Sequence, residues 1–352
     1  MGKKKVLFIL PSSVGGAERV TVTISRYLNP SVYDVRYVIL SKQVGNVRDI
    51  LPDGATVIHV KIRNIWDFTI TKLVNLLRQE RPDFVFSSLR YLNPRVIVAA
   101  KIVGDIKIIV RNDNGLKTAR WDNKLLMRLT YRWANVVIAQ QEEMRQELLQ
   151  VMKLPGDLVV VINNPLNTEA IDASANAPSP YPDQIGMKYL WVARFFYNKG
   201  QDLVCRAFHE VYQSIPDAHL YLLGRYDDKD PYYIQVRQYV EEHHLSEHIH
   251  FMGEESNPFP WMRHCDCFVM PSRYEGTPNS LIEAMYVGCP IVATRCIPMI
   301  DRMVQDRYNG ILVPSEDIPA MSQAMMEAPK LKNFQMTYHP GCKEDYLPLF
   351  QC

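Results

Sequence analysis

Short apolar runs alternate with longer stretches of helical period along most of the chain. Val6–Leu10, Val35–Leu40, Val57–Val60, Phe84–Ser87, Lys107–Val110, Val136–Ala139 and Leu158–Ile162 read as strands buried on both faces. Between them, Ala17–Leu28, Thr69–Gln79, Arg95–Val103 and Lys124–Trp133 space their apolar residues three and four apart, which predicts helices. Strand and helix in regular turn predict right-handed βαβ units on a parallel sheet. Residues 173–182, Ala-Ser-Ala-Asn-Ala-Pro-Ser-Pro-Tyr-Pro, have the composition of a linker. The alternation then restarts. Tyr189–Ala193, His219–Leu223, Ile249–Met252, Cys267–Met270 and Pro290–Thr294 read as strands, with helices at Gln201–Ser214, Tyr232–Glu242, Pro258–Arg263, Ser280–Val287 and Ile318–Met326.

Length agrees with two α/β halves, because 352 residues exceed what one core usually serves. The opening Met1-Gly-Lys-Lys-Lys-Val-Leu-Phe-Ile-Leu10 mimics a secretion signal, but Pro11 ends its apolar core too early, and a first buried strand is expected. Val6 stands where myristoylation would want Ser or Thr. No run is long and apolar enough to predict a membrane span. All seven cysteines follow residue 200, their number is odd and no C-x-x-C pair occurs. A reducing cytoplasm is therefore expected, without a disulfide framework or a zinc site. The histidines at 243, 244, 248 and 250 are read as loop residues around a strand start, not as metal ligands. Charge is unevenly divided. Residues 1–165 hold 25 Lys and Arg against 14 Asp and Glu, and residues 166–352 hold 15 against 24, for nets of +11 and −9. The basic half is expected to face something anionic.

The candidate chemistry centres on Pro271-Ser-Arg-Tyr-Glu-Gly-Thr-Pro-Asn-Ser-Leu-Ile-Glu-Ala-Met285. Glu275 falls at a strand's carboxyl end and Glu283 about one turn into the next helix, for which Asn279 is the expected cap. Ligands bind at that edge of a parallel sheet. The first backbone N–H groups of the helix, at Asn279, Ser280 and Leu281, would face an anion there. This run resembles the E-x7-E signature of retaining glycosyltransferases of the GT-B fold, glycosyltransferase family 4. Val14-Gly-Gly-Ala-Glu-Arg-Val20 resembles the family's Gly-Gly loop, Val192-Ala-Arg-Phe-Phe-Tyr-Asn-Lys-Gly200 its Gly-Arg-x(n)-Lys-Gly segment, and Tyr308-Asn-Gly-Ile-Leu-Val-Pro314 its Asn-Gly-x-Leu-Val turn. The four landmarks stand in family order.

The resemblance implies two Rossmann-like parallel-sheet domains facing each other across a cleft. Residues 1–170 form the acceptor side, 171–182 the linker and 183–335 the nucleotide-sugar domain; the tail 336–352 is expected to cross back, through Cys342–Phe350. It implies that Arg194 and Lys199 neutralise the departing diphosphate. Glu275 would bind the donor sugar and support its developing positive charge, and Glu283 would hold the ribose hydroxyls. Gly15 and Gly16 would form a loop at the acceptor and diphosphate side, where Glu18 either contacts ligand or only starts the helix. Arg111, like Asn112, Asp113 and Asn114, is a candidate for acceptor or donor contact whose role the resemblance does not supply. The chain departs from the pattern three times: Ala193 replaces a frequent Gly, Ile109-Val-Arg-Asn-Asp-Asn-Gly115 lacks a frequent histidine, and Arg295-Cys-Ile-Pro-Met299 stands where a Gly-rich turn is frequent. No metal or cofactor is expected beyond the nucleoside-diphosphate sugar itself.

Lys117, Arg120, Lys124, Arg128 and Arg132 recur at helical spacing beside Leu125, Leu126, Leu129 and Trp133, with Trp121 and Tyr131 projecting within the basic face. One reading is a helix packed by its leucines with a solvated charged side. The other is docking on anionic lipid, which suits a cytoplasmic enzyme, peripheral on the inner membrane face, whose acceptor is a lipid-linked glycan. The expected activity is thus glycosyl transfer in surface polysaccharide or glycan assembly. A sugar-nucleotide epimerase or phosphorylase on the same plan is an alternative, and a nucleic-acid binder using the basic half is another. The last lacks a recognised motif, and its charges are not interleaved with stacking aromatics.

Overall fold

The computed structural model of the chain describes residues 2–43, 45–63, 69–116, 119–182, 186–331 and 335–351. It divides into two units, Met1–Leu166 with Pro340–Cys352, and Asn167–His339.

Unit 1 is built on seven strands, β1 (Lys4–Leu10), β2 (Tyr33–Ser41), β3 (Thr56–Lys61), β4 (Phe84–Ser87), β5 (Lys107–Arg111), β6 (Val136–Ala139) and β7 (Val159–Val161). All pair in parallel, in the order β3-β2-β1-β4-β5-β6-β7. Side chains alternate along each strand, so β1 feeds two cores. Leu7 and Ile9 join Val38, Val85 and Val110 on one face, while Val6, Phe8 and Leu10 join Ile39, Phe84 and Phe86 on the other. The helices are α1 (Gly16–Arg26), α2 (Thr69–Glu80), α3 (Asn93–Val103), α4 (Trp121–Thr130) and α5 (Glu142–Val151).

Unit 2 has six parallel strands, β8 (Lys188–Val192), β9 (His219–Leu223), β10 (Ile249–Gly253), β11 (Cys267–Met270), β12 (Ile291–Thr294) and β13 (Ile311–Val313), in the order β10-β9-β8-β11-β12-β13. Its helices are α6 (Thr168–Ala175), α7 (Gln201–Ser214), α8 (Pro231–Glu242), α9 (Phe259–His264), α10 (Asn279–Val287), α11 (Pro298–Met303) and α12 (Ile318–Glu327). Every strand and helix expected from the apolar pattern is present, within a few residues at the ends. Helices α5, α6 and α11 and strand β13 were not expected. Residues 173–175, expected as linker, belong to α6. Asn167 starts that helix by accepting from the Ala170 N–H, and Ile171 and Ala175 are buried. The division of the chain accordingly falls at Leu166, ahead of the expected 170.

The final segment belongs to unit 1. Helix α13 (Lys343–Tyr346) and the 3-10 turn Leu347–Phe350 bring Tyr346 and Phe350, both fully buried, into the core beside Phe8 and Phe84. The Phe350 ring lies 5.7 Å from that of Phe84, and the Tyr33 hydroxyl donates to the Phe350 carbonyl at 3.1 Å. Among the described residues, no helix is long and apolar enough to cross a membrane.

Candidate functional site

Both sheets reverse their strand order beside their first strand, between β1 and β4 in unit 1 and between β8 and β11 in unit 2. At such a point the connections leave toward opposite faces and a crevice opens at the carboxyl edge. In unit 2 Arg194, Lys199, Glu275 and Glu283 follow the two strands at that point, and in unit 1 Gly15, Gly16 and Glu18 follow β1.

In unit 2 the loops after β8 and β11 are bound to one another. The Arg273 N–H donates to the Asn198 carbonyl at 2.9 Å, and the Asn198 side chain donates to the Tyr274 carbonyl at 3.3 Å. Gly200 has φ +71°, and a Cβ there would come within 2.2 Å of the Pro271 carbonyl oxygen, so both the conformation and the approach require glycine. This clamp brings Lys199 to Glu275. The ammonium reaches both carboxylate oxygens, at 2.6 and 2.8 Å, and Ser272 Oγ donates a third bond at 2.7 Å. Glu275 is only 5% exposed, whereas Lys199 keeps a quarter of its side chain open. The carboxylate is thus fixed, while part of the Lys199 side chain stays open to solvent. Thr294, fully buried at the end of β12, donates to the Ser272 carbonyl at 2.5 Å and holds the loop from below. Cys296 lies near enough that its thiol is pushed up to about 12, by burial first and then by the Glu275 charge.

Behind this pair stands a second one that the sequence did not reveal. Arg273 and Asp202 make two parallel bonds, at 2.8 and 2.7 Å, with both side chains largely buried. Tyr232 donates to the same carboxylate at 2.7 Å, Glu316 takes the remaining edge of the guanidinium at 2.6 Å, and the Tyr197 ring covers its face at 4.0 Å. Burial by itself would raise the Asp202 pKa, but the bonds from Arg273 and Tyr232 outweigh it and hold the carboxyl below its ordinary 3.8. Arg273 lies in the quoted Pro271–Met285 run, yet its partner is 71 residues away and nothing local points to it.

Arg194 is exposed just beyond β8, its guanidinium 5.4 Å from the Phe196 ring. It lines a cavity of about 410 Å³ with Arg225, Tyr226 and Asp230. Gly224 makes this geometry possible: its φ is +147°, and a Cβ would collide with the Ala193 carbonyl. Glu283 sits half-buried in the second turn of α10. The helix start departs from expectation. Asn279 is the first helical residue, not the cap; Pro278 occupies that place and has no side-chain acceptor. The turn therefore closes on itself. The Asn279 N–H donates to the Thr277 carbonyl at 3.0 Å and the Leu281 N–H to the Pro278 carbonyl at 3.0 Å, so two of the three amides expected to face an anion are engaged. Ser280 is half-buried beside them.

In unit 1, Gly15 precedes the first turn of α1 with extended backbone, and Gly16 opens the helix. The loop is held from β2's side, where Asn46 Oδ1 accepts from the Val14 N–H at 3.2 Å. Glu18 is buried in α1. Partial burial, and then the charges of Glu18 and Asp113, push the Tyr91 phenol up to about 12. Arg111, 1% exposed, ends β5 inside the unit, where it donates to Ser88 Oγ at 2.8 Å and to Asn164 Oδ1. A chain of buried neutral groups surrounds it. Asn93 donates to the Arg111 carbonyl and to Tyr131, Tyr131 donates to Asn112, and Gln140 donates to the Asn112 carbonyl. Arg111 thus ties the ends of β4, β5 and β7 together, where the sequence had suggested an acceptor contact.

The basic stripe needs the largest revision. Lys117 lies outside the described residues. Arg120, Arg128 and Arg132 are exposed and Lys124 is half-buried. Leu125 and Leu129, which one of the two readings packed inward, are 50% and 53% exposed, with Trp121 at 76% and Trp133 at 44%. Tyr131, expected within the basic face, is fully buried. Met127 and Thr130 form the buried side of α4, and Tyr131 follows them because its hydroxyl joins the Asn93–Asn112 chain.

Comparison with known proteins agrees with this architecture. Residues 14–170 match the family model described as Glycosyltransferase Family 4, and residues 186–329 match the one described as Glycosyl transferases group 1. An uncharacterized glycosyltransferase of Methanocaldococcus jannaschii is 24% identical over 66% of this chain and 61% of its own length. The N-acetylgalactosamine-N,N'-diacetylbacillosaminyl-diphospho-undecaprenol 4-alpha-N-acetylgalactosaminyltransferase of Campylobacter jejuni is 24% identical over 72% of this chain and 66% of its own length. The matched stretch thus spans just under two thirds of both. A UDP-Gal:alpha-D-GlcNAc-diphosphoundecaprenol alpha-1,3-galactosyltransferase of Escherichia coli is 21% identical over 89% of this chain and 84% of its own. Among solved structures, Anabaena HepE in complex with UDP and glucose superposes with a TM-score of 0.76 at 18% identity, covering 92% of this chain and 89% of that one. With two parallel-sheet Rossmann-like units and both family models matched, the chain belongs to the GT-B glycosyltransferases of family 4, group 1.

Proposed function

We propose that this glycosyltransferase moves a sugar, with retention of anomeric configuration, from a nucleoside-diphosphate sugar to a lipid-linked diphosphate glycan. The observation that carries the donor side is the Lys199–Glu275 pair at the switch point of the unit 2 sheet. Breaking the anomeric C–O bond builds positive charge on the sugar ring and negative charge on the departing diphosphate. A buried carboxylate bonded to an open ammonium meets both demands side by side. Glu275 faces the ring and accepts a sugar hydroxyl, and Lys199 turns its exposed side to the diphosphate. Arg194 adds a second cation at the same sheet edge, and the Glu283 carboxylate takes the ribose hydroxyls. No covalent nucleophile is assigned. The acceptor class is supported by the relatives whose names specify diphospho-undecaprenol substrates.

A thermal-shift panel of nucleoside diphosphates and nucleotide sugars tests this reading. One base should raise the melting temperature through linkage, and Glu283→Ala should abolish that rise while leaving the unliganded melt in place. A shift preserved in Glu283→Ala would refute the ribose assignment. Formation of an epimer from nucleotide sugar without acceptor would refute the transfer.

A further inference from the structure

The outward side of α4 and the turn after it carries two adjoining stripes. Trp121, Leu125, Leu129 and Trp133 recur every four residues, each between 44% and 76% exposed. Arg120, Lys124, Arg128 and Arg132 precede them one by one, and Asp122, paired with Arg120 at 3.3 Å, is the only acidic residue in the segment. At four-residue spacing each row drifts slowly around the helix, so the rows stay side by side. Met127 and Thr130 occupy the opposite, buried side. A solvated helix face does not carry two tryptophans and two leucines in line. Tryptophan is the residue favoured at the boundary between hydrocarbon and water, and long cationic side chains reach outward from that boundary to anionic headgroups.

We propose that α4 is an interfacial anchor that inserts Trp121, Leu125, Leu129 and Trp133 into the headgroup–acyl boundary of an anionic bilayer, with Arg120, Lys124, Arg128 and Arg132 on lipid phosphates. This deepens the transferase reading, on which it rests for the reason a bilayer would be present, since a lipid-linked acceptor lives there. It differs from charge attraction alone in one measurable respect. Electrostatic docking is screened by salt, whereas apolar insertion persists.

The test is vesicle flotation of the full chain, with phosphatidylcholine alone and with added phosphatidylglycerol, at low and high salt. The wild type should float with anionic vesicles and keep a salt-resistant fraction. The triple variant Trp121→Ser, Leu125→Ser, Leu129→Ser should lose that fraction by about tenfold or more, with only a small drop in the melt because half or more of each side chain is exposed. Arg120→Ser with Arg128→Ser and Arg132→Ser should lose the preference for anionic vesicles. Wild type that floats with neither vesicle, or a serine triple that floats like wild type, overturns the anchor. So does a lipid-free dimer that the serine triple dissolves, which would assign the stripe to a second copy of the chain. The nucleotide thermal shift, measured without lipid, is the independent readout. Its absence in the wild type would sink the transferase reading, and its survival in the serine triple would leave that reading intact whatever the vesicles show.

Discussion

The carboxyl edges of the two sheets share a topology and differ in the balance of amides and ion pairs that hold them. In unit 1 Asn93, Asn112, Tyr131, Gln140 and Arg111 are buried and linked by hydrogen bonds at that edge, beside an ion pair, Arg90–Asp113, at 3.4 Å. In unit 2 it holds the ion pairs Lys199–Glu275 and Arg273–Asp202, and the first leaves a quarter of the Lys199 side chain exposed. Buried polar side chains bonded to one another rigidify what they join. A half-open ion pair retains unspent donor capacity for an incoming anion. Arg111 is bonded inside unit 1 to Ser88 and Asn164, whereas the Lys199–Glu275 pair is the one proposed to meet the donor.

Substitutions can break this comparison at either edge. The largest effect is expected from Lys199→Ala, which should lower kcat by about 10²–10³-fold by removing a donor to the leaving diphosphate. It should also lower the melting temperature, because Glu275 is left buried with only Ser272. Equal kcat in steady-state kinetics would move Lys199 from the chemistry to the scaffold. Next comes Arg273→Ala, which strands Asp202. Breaking a buried pair costs about 3 kcal/mol, or about 5–10 °C in the melt of unit 2. The smallest mutational effect belongs to Arg111→Met, at about 2 kcal/mol through the stranded Ser88 and Asn164. The nucleotide-induced shift should be unchanged. If KM for acceptor rose without any loss of stability, the residue would be a contact after all.

The Asp202 pair also has a pH signature of known sign. A carboxyl held below its ordinary 3.8 contributes stability above that pH and loses it as the pH falls through the lowered value. The gap in melting temperature between wild type and Asp202→Asn should therefore be full at neutral pH and close in strong acid. A gap that widened on acidification would contradict the assignment.

Much of this was legible in the chain. The parallel strands are apolar runs, and a run buried on both faces is hard to mistake. Helix α5 was missed because Glu142–Val151 buries only Met144 and Leu148, too few for a visible stripe. Helix α11 is short and β13 has three residues, below what periodicity can separate from a turn. At the site, Glu275, Lys199 and Arg194 could be read because they flank strand ends. Asp202 with Arg273 could not, because the pairing depends on β8 and β11 being neighbours. On α4 the periodicity indicated two faces and left open whether the leucines pack inward, and Leu125 and Leu129 prove to be half exposed. Met127 and Tyr131 could equally mark the inner side, and the hydrogen bonds of Tyr131 decided it.

The docking of Phe350 against Phe8 and Phe84 has a consequence for synthesis. The amino-terminal sheet is made early, yet a wedge of its core lies 317 positions beyond Tyr33, after all of unit 2. While the ribosome works through unit 2, that aromatic face stays uncovered. The order of completion is thus reversed from the order of translation, with unit 2 able to close first and unit 1 last.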